Sequence, residues 1–417
     1  MPEIVDLKKE IAQQLPAELV RLLKAAGNTA QRQQQRAYLV GGMVRDLLLG
    51  RENIDIDIVV EGDAIRLAEE LAAEKQAKVT KHKRFGTAKV QWDGAAIDTV
   101  TARSETYERP GALPTVKPGT IIDDLSRRDF TINAMAIELS PRHFGELLDP
   151  HNGINDLEHG LIRVLHEKSF IDDATRIWRA IRYEQRLDFK LELATLELLK
   201  QSTEWLKTIS GDRIRHELEL VLREEQPEKT LYRADELGAL ATVHPSLKGD
   251  IWLMETFALA YENTLPDPPT IQLYLALLAY RLSAVEIEQL ITHLRLPKST
   301  AKILRETEAI RTRIEELAMQ GPPPSHIYRI LHGYSPTALT ANLLATDDET
   351  TEEHIELYMN VLKYVHTSLK GEDIRRLGVR AGPKIQEILD SLLTAKLDGT
   401  VSTRREEEEM AREITGK

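Results

Sequence analysis

The chain has 417 residues, of which 42% are hydrophobic, and its 67 acidic side chains outnumber the 55 basic ones to give a formal net charge of −12. This length predicts two to four domains, and the negative charge argues against a protein that coats nucleic acid through bulk positive charge, so RNA binding would depend on local basic patches. No apolar run is long enough to cross a bilayer and there is no cysteine, so we expect a soluble, cytoplasmic protein with no membrane partner, no disulfide and no thiolate metal site.

The first 35 residues form a predicted helical extension. Apolar residues recur at helical spacing, as in Leu7, Ile11 and Leu15, and Pro16 interrupts the pattern. We therefore expect an amphipathic helix pair that is broken at Pro16.

Residues 36–150 show a mixture of short apolar runs and one helical pattern. We predict a helix at 64–77 and strands at 38–40, 54–60, 88–92, 96–100 and 131–137. Strands and helices mixed over about a hundred residues predict a small α+β catalytic head.

Beyond a turn cluster at 149–153, strand signals nearly vanish and the pattern is helical. Prolines cluster at 265–269 and 321–324, where we expect boundaries between helical domains. The predicted division is a neck at 151–225, a body at 226–322 and a tail at 323–417.

Two aspartates flank one isoleucine in Asp55-Ile56-Asp57, shortly after the pair Gly41-Gly42 and Arg45. Alternate side chains of a strand share a face, so both carboxylates can point the same way and hold Mg²⁺. Glycines let the backbone approach phosphate closely, and an arginine supplies a planar donor fork. Taken alone, this pattern is more typical of a solvated strand end.

Two further motifs change that balance. Arg127-Arg128-Asp129-Phe130-Thr131 continues to Asn133-Ala134-Met135-Ala136, and Asp172-Asp173 is followed by arginines at 176, 179 and 182. In this order, the motifs resemble the class II tRNA nucleotidyltransferase family, which comprises CCA-adding enzymes and bacterial poly(A) polymerases. The resemblance is dense over residues 38–222 and diffuse beyond.

The resemblance implies a polymerase-β-like nucleotidyltransferase head with a mixed sheet, followed by an all-helical neck, body and tail. It implies that Asp55 and Asp57 are catalytic and ligate Mg²⁺, and that Gly42 and Arg45 touch the triphosphate. Arg128 matches a nucleotide-binding arginine, and Asp129 and Asn133 are expected to brace the head against the neck. Asp98 is a candidate third catalytic carboxylate, with a turn cap as the alternative.

Residues three and four apart on a helix share a face, so Asp173, Arg176, Arg179 and Arg182 are predicted to form a ladder. A surface ion-pair ladder is one interpretation. By resemblance, the ladder binds the nucleotide: the aspartate accepts from the exocyclic amine of C and A, an arginine donates to the neighbouring ring nitrogen, and Arg179 and Arg182 support the nucleotide and its phosphates.

Two other segments have expected roles. The Pro/Gly-rich segment 103–119 resembles the flexible loop of the family, with a passive connector as the alternative. Arg213 and Glu217 are expected to brace the neck helices.

The function implied by the resemblance is template-independent addition of CMP and AMP to the 3′ end of tRNA, using CTP, ATP and Mg²⁺. The expected partner is the tRNA 3′ end and acceptor arm, and no obligate protein partner is evident. A CC-only or A-only enzyme and a poly(A) polymerase share these motifs and stay open, as does a non-catalytic RNA-binding protein.

Overall fold

The structure is a computed structural model that describes residues 5–92, 95–109, 111 and 114–416. It separates into two compact units. The first comprises the described residues up to Leu218 together with Leu237–Thr242, and the second comprises Glu219–Glu236 and the described residues from Val243 onward. The five-part division expected from the sequence stays a prediction.

Most strands belong to one sheet in the first unit. They are β1 (Arg36–Val40), β2 (Ile56–Glu61), β3 (Lys78–His82), β4 (Thr87–Trp92), β5 (Ala95–Thr101), β6 (Arg103–Thr106), β7 (Thr115–Pro118), β8 (Ala136–Glu138), β9 (Leu147–Leu148), β10 (Leu161–Ile162) and β11 (Lys190–Leu191). Seven of them pair in the order β3-β4-β5-β2-β1-β8-β9, with β2 and β5 parallel and the other neighbours antiparallel.

The helices up to residue 221 are α1 (Lys8–Gln14), α2 (Ala17–Arg32), α3 (Gly42–Leu48), α4 (Ala64–Lys75), α5 (Ile121–Ser126), α6 (Gly153–Glu158), α7 (Ser169–Asp172), α8 (Thr175–Leu187), α9 (Leu193–Ser202) and α10 (Gly211–Val221). The later helices are α11 (Pro227–Glu236), α12 (Ala239–Val243), α13 (Ile251–Thr264), α14 (Ile271–Leu278), α15 (Ala284–Leu294), α16 (Lys298–Arg311), α17 (Ile314–Leu317), α18 (Pro324–Leu331), α19 (Pro336–Ala345), α20 (Glu349–Asn360), α21 (Gly371–Arg376), α22 (Pro383–Leu397) and α23 (Arg404–Thr415). None of the described helices is both long and apolar enough to span a membrane.

Helices pack against both faces of the sheet. Tyr38 and Val59 are cross-strand partners and form a core with Ile121 of α5, whereas Ala88 and Val90 form another with α4. Because cross-strand partners share a face and strand residues alternate, Asp57 lies on the same face as Val59 and Tyr38. The sheet therefore presents Asp57 on the side that α5 partly covers.

The α+β head followed by helices is confirmed. The helix pair broken at Pro16, the helix at 64–77 and the strands at 38–40, 88–92 and 96–100 also appear. The strand at 131–137 was wrong in its first half, because Thr131–Asn133 forms a 3₁₀ turn and only Ala136–Glu138 is a strand.

The segment 103–119 is more ordered at its ends than a simple loop. Strands β6 and β7 pair antiparallel, with Arg103 opposite Pro118 and Thr106 opposite Thr115. Within the segment, Pro110, Ala112 and Leu113 lie outside the described residues. The described ends of the segment therefore form a short antiparallel hairpin.

The second unit is built from helices around two apolar clusters. One includes Ile310, Ile327 and Ile355, and the other includes Ile374 and Leu392. Local signals delimit its helices, for example the capping box of Ser283 and Glu286 at the start of α15.

Candidate active site

One cleft in the first unit brings most of the predicted site residues together. It has a volume of about 930 Å³, within the range of ordinary ligand sites. Its lining includes Gly42, Arg45, Asp55, Asp57, Arg128, Asp173, Arg176 and Arg179. Asp98 and Arg182 are not among the described residues that line it.

The carboxylate end of the cleft is formed by β2 and the residues just before it. Asp57 lies on β2 and is the parallel-strand partner of Asp98 on β5. Asp55 precedes the strand, which begins at Ile56, and its backbone N–H donates to Asn53 Oδ1 at 2.8 Å. Burial, reinforced by the negative charges of Asp55 and Asp98, raises the pKa of Asp57 to about 6. A cation at this position would relieve that repulsion.

Asp98 faces a cation of its own. Lys89 of β4 is its antiparallel partner and donates from Nζ to Asp98 Oδ2 at 3.0 Å. This bond raises the pKa of Lys89. Asp98 as a third catalytic carboxylate therefore stays a prediction, with Lys89 as its partner in this structure.

The carboxylate pair fits a divalent cation. No other described side chain donates a hydrogen bond to the carboxylate of Asp55 or Asp57, so their oxygens are available for coordination. Across the residues that the structure describes, no cluster of three or more His, Cys, Asp or Glu side chains could hold a metal ion by itself. Two carboxylates with the remaining positions filled by substrate phosphates and water is the arrangement typical of Mg²⁺.

Gly41 allows an arginine and the carboxylates to meet. Its φ of +77° is unfavourable for other residues. A Cβ on Gly41 would lie 3.3 Å from Arg128 Nη1 and 3.6 Å from Asp57 Oδ2. Arg128 is held there because its Nη2 donates to Asp124 Oδ2 at 3.0 Å. The Arg128 guanidinium and the Asp57 carboxylate thus both approach the Gly41 backbone, which has no side chain to separate them.

Arg45 is buried in the wall of the cleft. Its Nε and Nη2 donate to the two carboxylate oxygens of Asp46 at 2.8 and 2.9 Å, and its Nη1 donates to Asn133 Oδ1 at 2.7 Å. The side chain is only 3% exposed. Its contact with a triphosphate stays a prediction. In the structure, all three guanidinium nitrogens donate hydrogen bonds to Asp46 or Asn133, which fixes the position of the guanidinium.

Asp173 lies before the predicted ladder helix, not on it. Helix α7 ends at Asp172 and α8 begins at Thr175, so Asp173 has an extended backbone between them. Its Oδ1 accepts from the N–H of Thr175 at 3.0 Å, from the Thr175 hydroxyl at 2.7 Å and from Arg213 Nη2 at 2.7 Å. One carboxylate oxygen is therefore saturated, which leaves Oδ2 to accept from a ligand.

The three arginines of the predicted ladder have different environments on α8. Arg176 is buried and donates from Nη1 to Ser169 Oγ and from Nη2 to the carbonyl of Arg127, both at 2.7 Å. Arg179 donates from Nε and Nη2 to Asp129 Oδ2 at 2.8 and 2.6 Å. Arg182 is buried, with Nη2 3.9 Å from Glu217 Oε2.

Asp129 connects the segment after α5 to α8. Burial alone would raise the pKa of Asp129, but Arg179 outweighs it and the pKa is lowered to about 2. Its Oδ1 accepts from Asn133 Nδ2 at 3.1 Å. These contacts are of the bracing kind expected for Asp129 and Asn133.

Sequence reasoning missed several residues of the cleft. Tyr183 follows the last arginine of the ladder and lines the cleft, as do Tyr107 and Glu105 of the segment 103–119. The Tyr107 hydroxyl donates to Glu105 Oε2 at 3.0 Å, and Arg127 donates to Glu105 Oε1 at 3.1 Å. The sequence signal for these residues was their position. Tyr183 directly follows the last arginine of the ladder, and Glu105 and Tyr107 lie within the segment 103–119.

Known proteins share this fold and these motifs. Residues 37–163 match the poly A polymerase head domain, and residues 188–250 match the probable RNA and SrmB-binding site of polymerase A. The structure of a CCA-adding enzyme in apo form II aligns with a TM-score of 0.86 and 33% identity over all of both chains. Structures of a CCA-adding enzyme with ATP and with CTP align at TM-scores of 0.84 and 0.82, each with 32% identity over 100% of this chain and 99% of that one.

Several curated relatives are similar over most of the chain. The A-adding tRNA nucleotidyltransferase of Halalkalibacterium halodurans is 32% identical over 420 residues, which cover 95% of this chain and 92% of that protein. The A-adding tRNA nucleotidyltransferase of Geobacter sulfurreducens is 36% identical over 95% of this chain, which spans only 47% of that longer protein. This chain therefore belongs to the tRNA nucleotidyltransferase family, whose members are enzymes that use a divalent metal.

Proposed function

We propose that this protein extends the 3′ end of tRNA by adding CMP and AMP from CTP and ATP, without a nucleic-acid template. The observation that carries the proposal is the single cleft that contains both the Asp55–Asp57 pair and the Asp173–Arg176 pair. A nucleoside triphosphate has a metal-binding end and a base, and this cleft offers a matching group for each. The cytoplasmic location expected from the sequence belongs to the same proposal.

The carboxylate end would carry the chemistry. Asp55 and Asp57 would hold Mg²⁺, which would supply positive charge for activation of the attacking 3′-hydroxyl and for neutralisation of the leaving pyrophosphate. Arg128 lies beside Asp57 and would hold phosphate oxygens through its planar donor fork. Gly42, at the start of α3, and Arg45, in the adjacent wall, would contact the triphosphate on its other side.

The opposite end would select the base. Asp173 Oδ2 would accept from the exocyclic amine of cytosine or adenine, while Arg176 would donate to the ring nitrogen beside it. Arg176 has five N–H donors, and its bonds to Ser169 and Arg127 leave some of them for a base. Guanine and uracil present a carbonyl where the amine stands, so the carboxylate would repel them. Arg179 and Arg182 would support the nucleotide from α8.

The RNA partner would be the tRNA 3′ end and acceptor arm. The match of residues 188–250 to a probable RNA-binding site supports this part of the proposal. Because the net charge is −12, the contacts would depend on local basic side chains and on the shape of the RNA.

The decisive experiment uses three tRNA transcripts, which end before CCA, after the first C and after CC. Each is incubated with the purified protein, Mg²⁺ and one NTP at a time, and Asp57→Asn is the inactive control. The proposal predicts CMP addition to the first two transcripts, AMP addition to the third, and no incorporation of GMP or UMP. Incorporation of all four nucleotides, or none, would contradict it.

An A-only enzyme is the second candidate, because the relatives from Geobacter sulfurreducens and Halalkalibacterium halodurans, each similar over 95% of this chain, are named A-adding. In that case, AMP would be added to the transcript ending in CC and CMP to none. Long A tails on a transcript that already ends in CCA would instead identify a poly(A) polymerase.

A further inference from the structure

Tyr183 lies at the centre of three arginines. Its ring is half-buried in the wall of the cleft, on α8. The guanidinium carbons of Arg45, Arg179 and Arg182 lie 5.2, 5.7 and 5.2 Å from the ring centroid. Phe130 packs edge-on against Tyr183, with their ring centroids 5.8 Å apart and an angle of 81° between the ring planes. A guanidinium within about 6 Å of a ring centroid is attracted by the ring, so Tyr183 makes cation–π interactions with all three arginines.

Two of these arginines are also joined by hydrogen bonds. Arg45 donates to Asn133 Oδ1, Asn133 donates to Asp129 Oδ1, and Arg179 donates to Asp129 Oδ2. The path begins on α3, passes through the segment after α5 and ends on α8, where the ring of Tyr183 closes it. We call this closed path the clasp, defined by Arg45, Asn133, Asp129, Arg179 and Tyr183.

The three guanidiniums would repel one another without partners. Each has an acidic side chain within ion-pair distance, and all three share the negative face region of one ring. These pairs are Arg45 with Asp46, Arg179 with Asp129, and Arg182 with Glu217. The acids neutralise each charge separately, whereas the ring of Tyr183 contacts all three guanidiniums and links Arg182 to the other two.

The clasp joins the two ends of the cleft. Helix α3 begins at Gly42, next to the carboxylate end, and α8 begins two residues after Asp173, at the base-selecting end. We infer that Tyr183 is a positioning residue that fixes the distance between the metal-binding carboxylates and the base-selecting pair. This inference rests on the proposed function, in which both ends hold one nucleotide.

The contacts of the ring with three guanidiniums predict that the aromatic ring carries the positioning role. In Tyr183→Leu, base selection by Asp173 and Arg176 stays intact, but the bound triphosphate is no longer held in line with the 3′-hydroxyl. We expect kcat to fall by roughly tenfold or more, with KM for tRNA unchanged, because small misplacements are costly in positioning catalysis. Tyr183→Phe keeps the three ring contacts and should stay within about twofold of the wild-type kcat.

The test compares Tyr183→Leu and Tyr183→Phe with Tyr274→Leu, which removes another buried tyrosine ring from the helical second unit. Kinetics of AMP incorporation are measured for each, together with amide hydrogen exchange of the protein without substrates. Exchange in α3 should accelerate in Tyr183→Leu but not in Tyr183→Phe or Tyr274→Leu, although residue 183 is far from α3 in sequence.

Two results would overturn the inference: a folded Tyr183→Leu with wild-type kcat and unchanged exchange in α3, or a Tyr183→Phe as impaired as Tyr183→Leu. A wild type that incorporates no nucleotide would refute the proposed function instead. The exchange measurement would then still decide whether Tyr183 holds α3 and α8 together.

Discussion

Asp129→Asn tests the ion pair on which the clasp depends. The carboxylate is buried and accepts four hydrogen bonds: two from Arg179 on Oδ2, and one each from Asn133 and the N–H of Phe130 on Oδ1. An asparagine can keep the bonds on one side through its carbonyl oxygen. Its amide group would then point N–H donors at the donors of Arg179, leaving a half-buried guanidinium without this acceptor.

The expected loss in the free energy of unfolding can be obtained in two ways. The pKa of Asp129 is about 2 against an ordinary value of 3.8. At roughly 1.4 kcal/mol per pH unit, this difference contributes on the order of 2 kcal/mol to the free energy of unfolding at neutral pH. Removing one partner of a buried ion pair typically costs roughly 3–5 kcal/mol. We therefore expect Asp129→Asn to lose about 2–5 kcal/mol at pH 7.

The pH dependence follows from the lowered pKa. A carboxylate with a depressed pKa stabilises the folded state above its ordinary pKa and loses that effect as the pH falls through its folded value. The loss in Asp129→Asn should thus be constant above about pH 5, and the proton-linked part should be about half as large at pH 3. Urea unfolding followed by circular dichroism between pH 3 and 7 measures both features.

Asp250→Asn is a matched control, because Asp250 also receives two bonds from an arginine, Arg281, but the pair is about 40% exposed. Solvent screening makes such pairs weak, and asparagine retains the helix cap, so its loss should be much smaller. If Asp129→Asn is no more destabilising than Asp250→Asn at pH 7, the assigned role of the buried pair is wrong.

Further outcomes are expected from single substitutions. Asp57→Asn should abolish incorporation by several orders of magnitude while tRNA affinity, measured by filter binding, is retained. Asp173→Ala should relax rejection of UTP and GTP by roughly one to two orders of magnitude in relative kcat/KM, and full discrimination in an active variant would refute base reading by Asp173. Gly41→Ala, which needs a strained φ and crowds Arg128, should impair activity more than Gly42→Ala, which opens α3 at ordinary φ; equal effects in steady-state assays would count against the crowding argument. Burial raises the pKa of Glu217, so its ionised form destabilises the fold as the pH rises through that pKa. The stability of Glu217→Gln relative to wild type should therefore increase between pH 4 and 8. A difference in Tm between the two proteins that does not change with pH would contradict the raised pKa.

Periodicity in the sequence was sufficient where secondary structure follows from local patterning. Alternating apolar residues located β4 and β5, and helical spacing with Pro16 located α1 and α2. The residues 131–133 followed a strand pattern but form a turn, because Thr131 donates to Asp156 Oδ2 and Asn133 donates to Asp129 Oδ1. Buried side-chain hydrogen bonds from distant residues outweighed local propensity there.

The candidate site shows the same division. The motif order drew attention to Asp55, Asp57, Arg128 and Asp173, and the structure brings all four to one cleft. Helical spacing misplaced Asp173, because an aspartate just before a helix bonds the first free N–H groups instead of continuing the turn. The position of Tyr183 next to the ladder was the only sequence signal for it, and this signal does not reveal its contact with Arg45, 138 positions earlier in the sequence.

The saturation of one oxygen of Asp173 has a thermodynamic consequence for a nucleotide that binds there. Three donors lock the carboxylate in a single rotamer before any ligand arrives. An interface side chain that is ordered only on binding typically costs roughly 0.5–1.5 kcal/mol in lost entropy. For Asp173, that entropy is already lost on folding, so a bound base meets a rigid acceptor whose orientation does not adapt to mismatched edges.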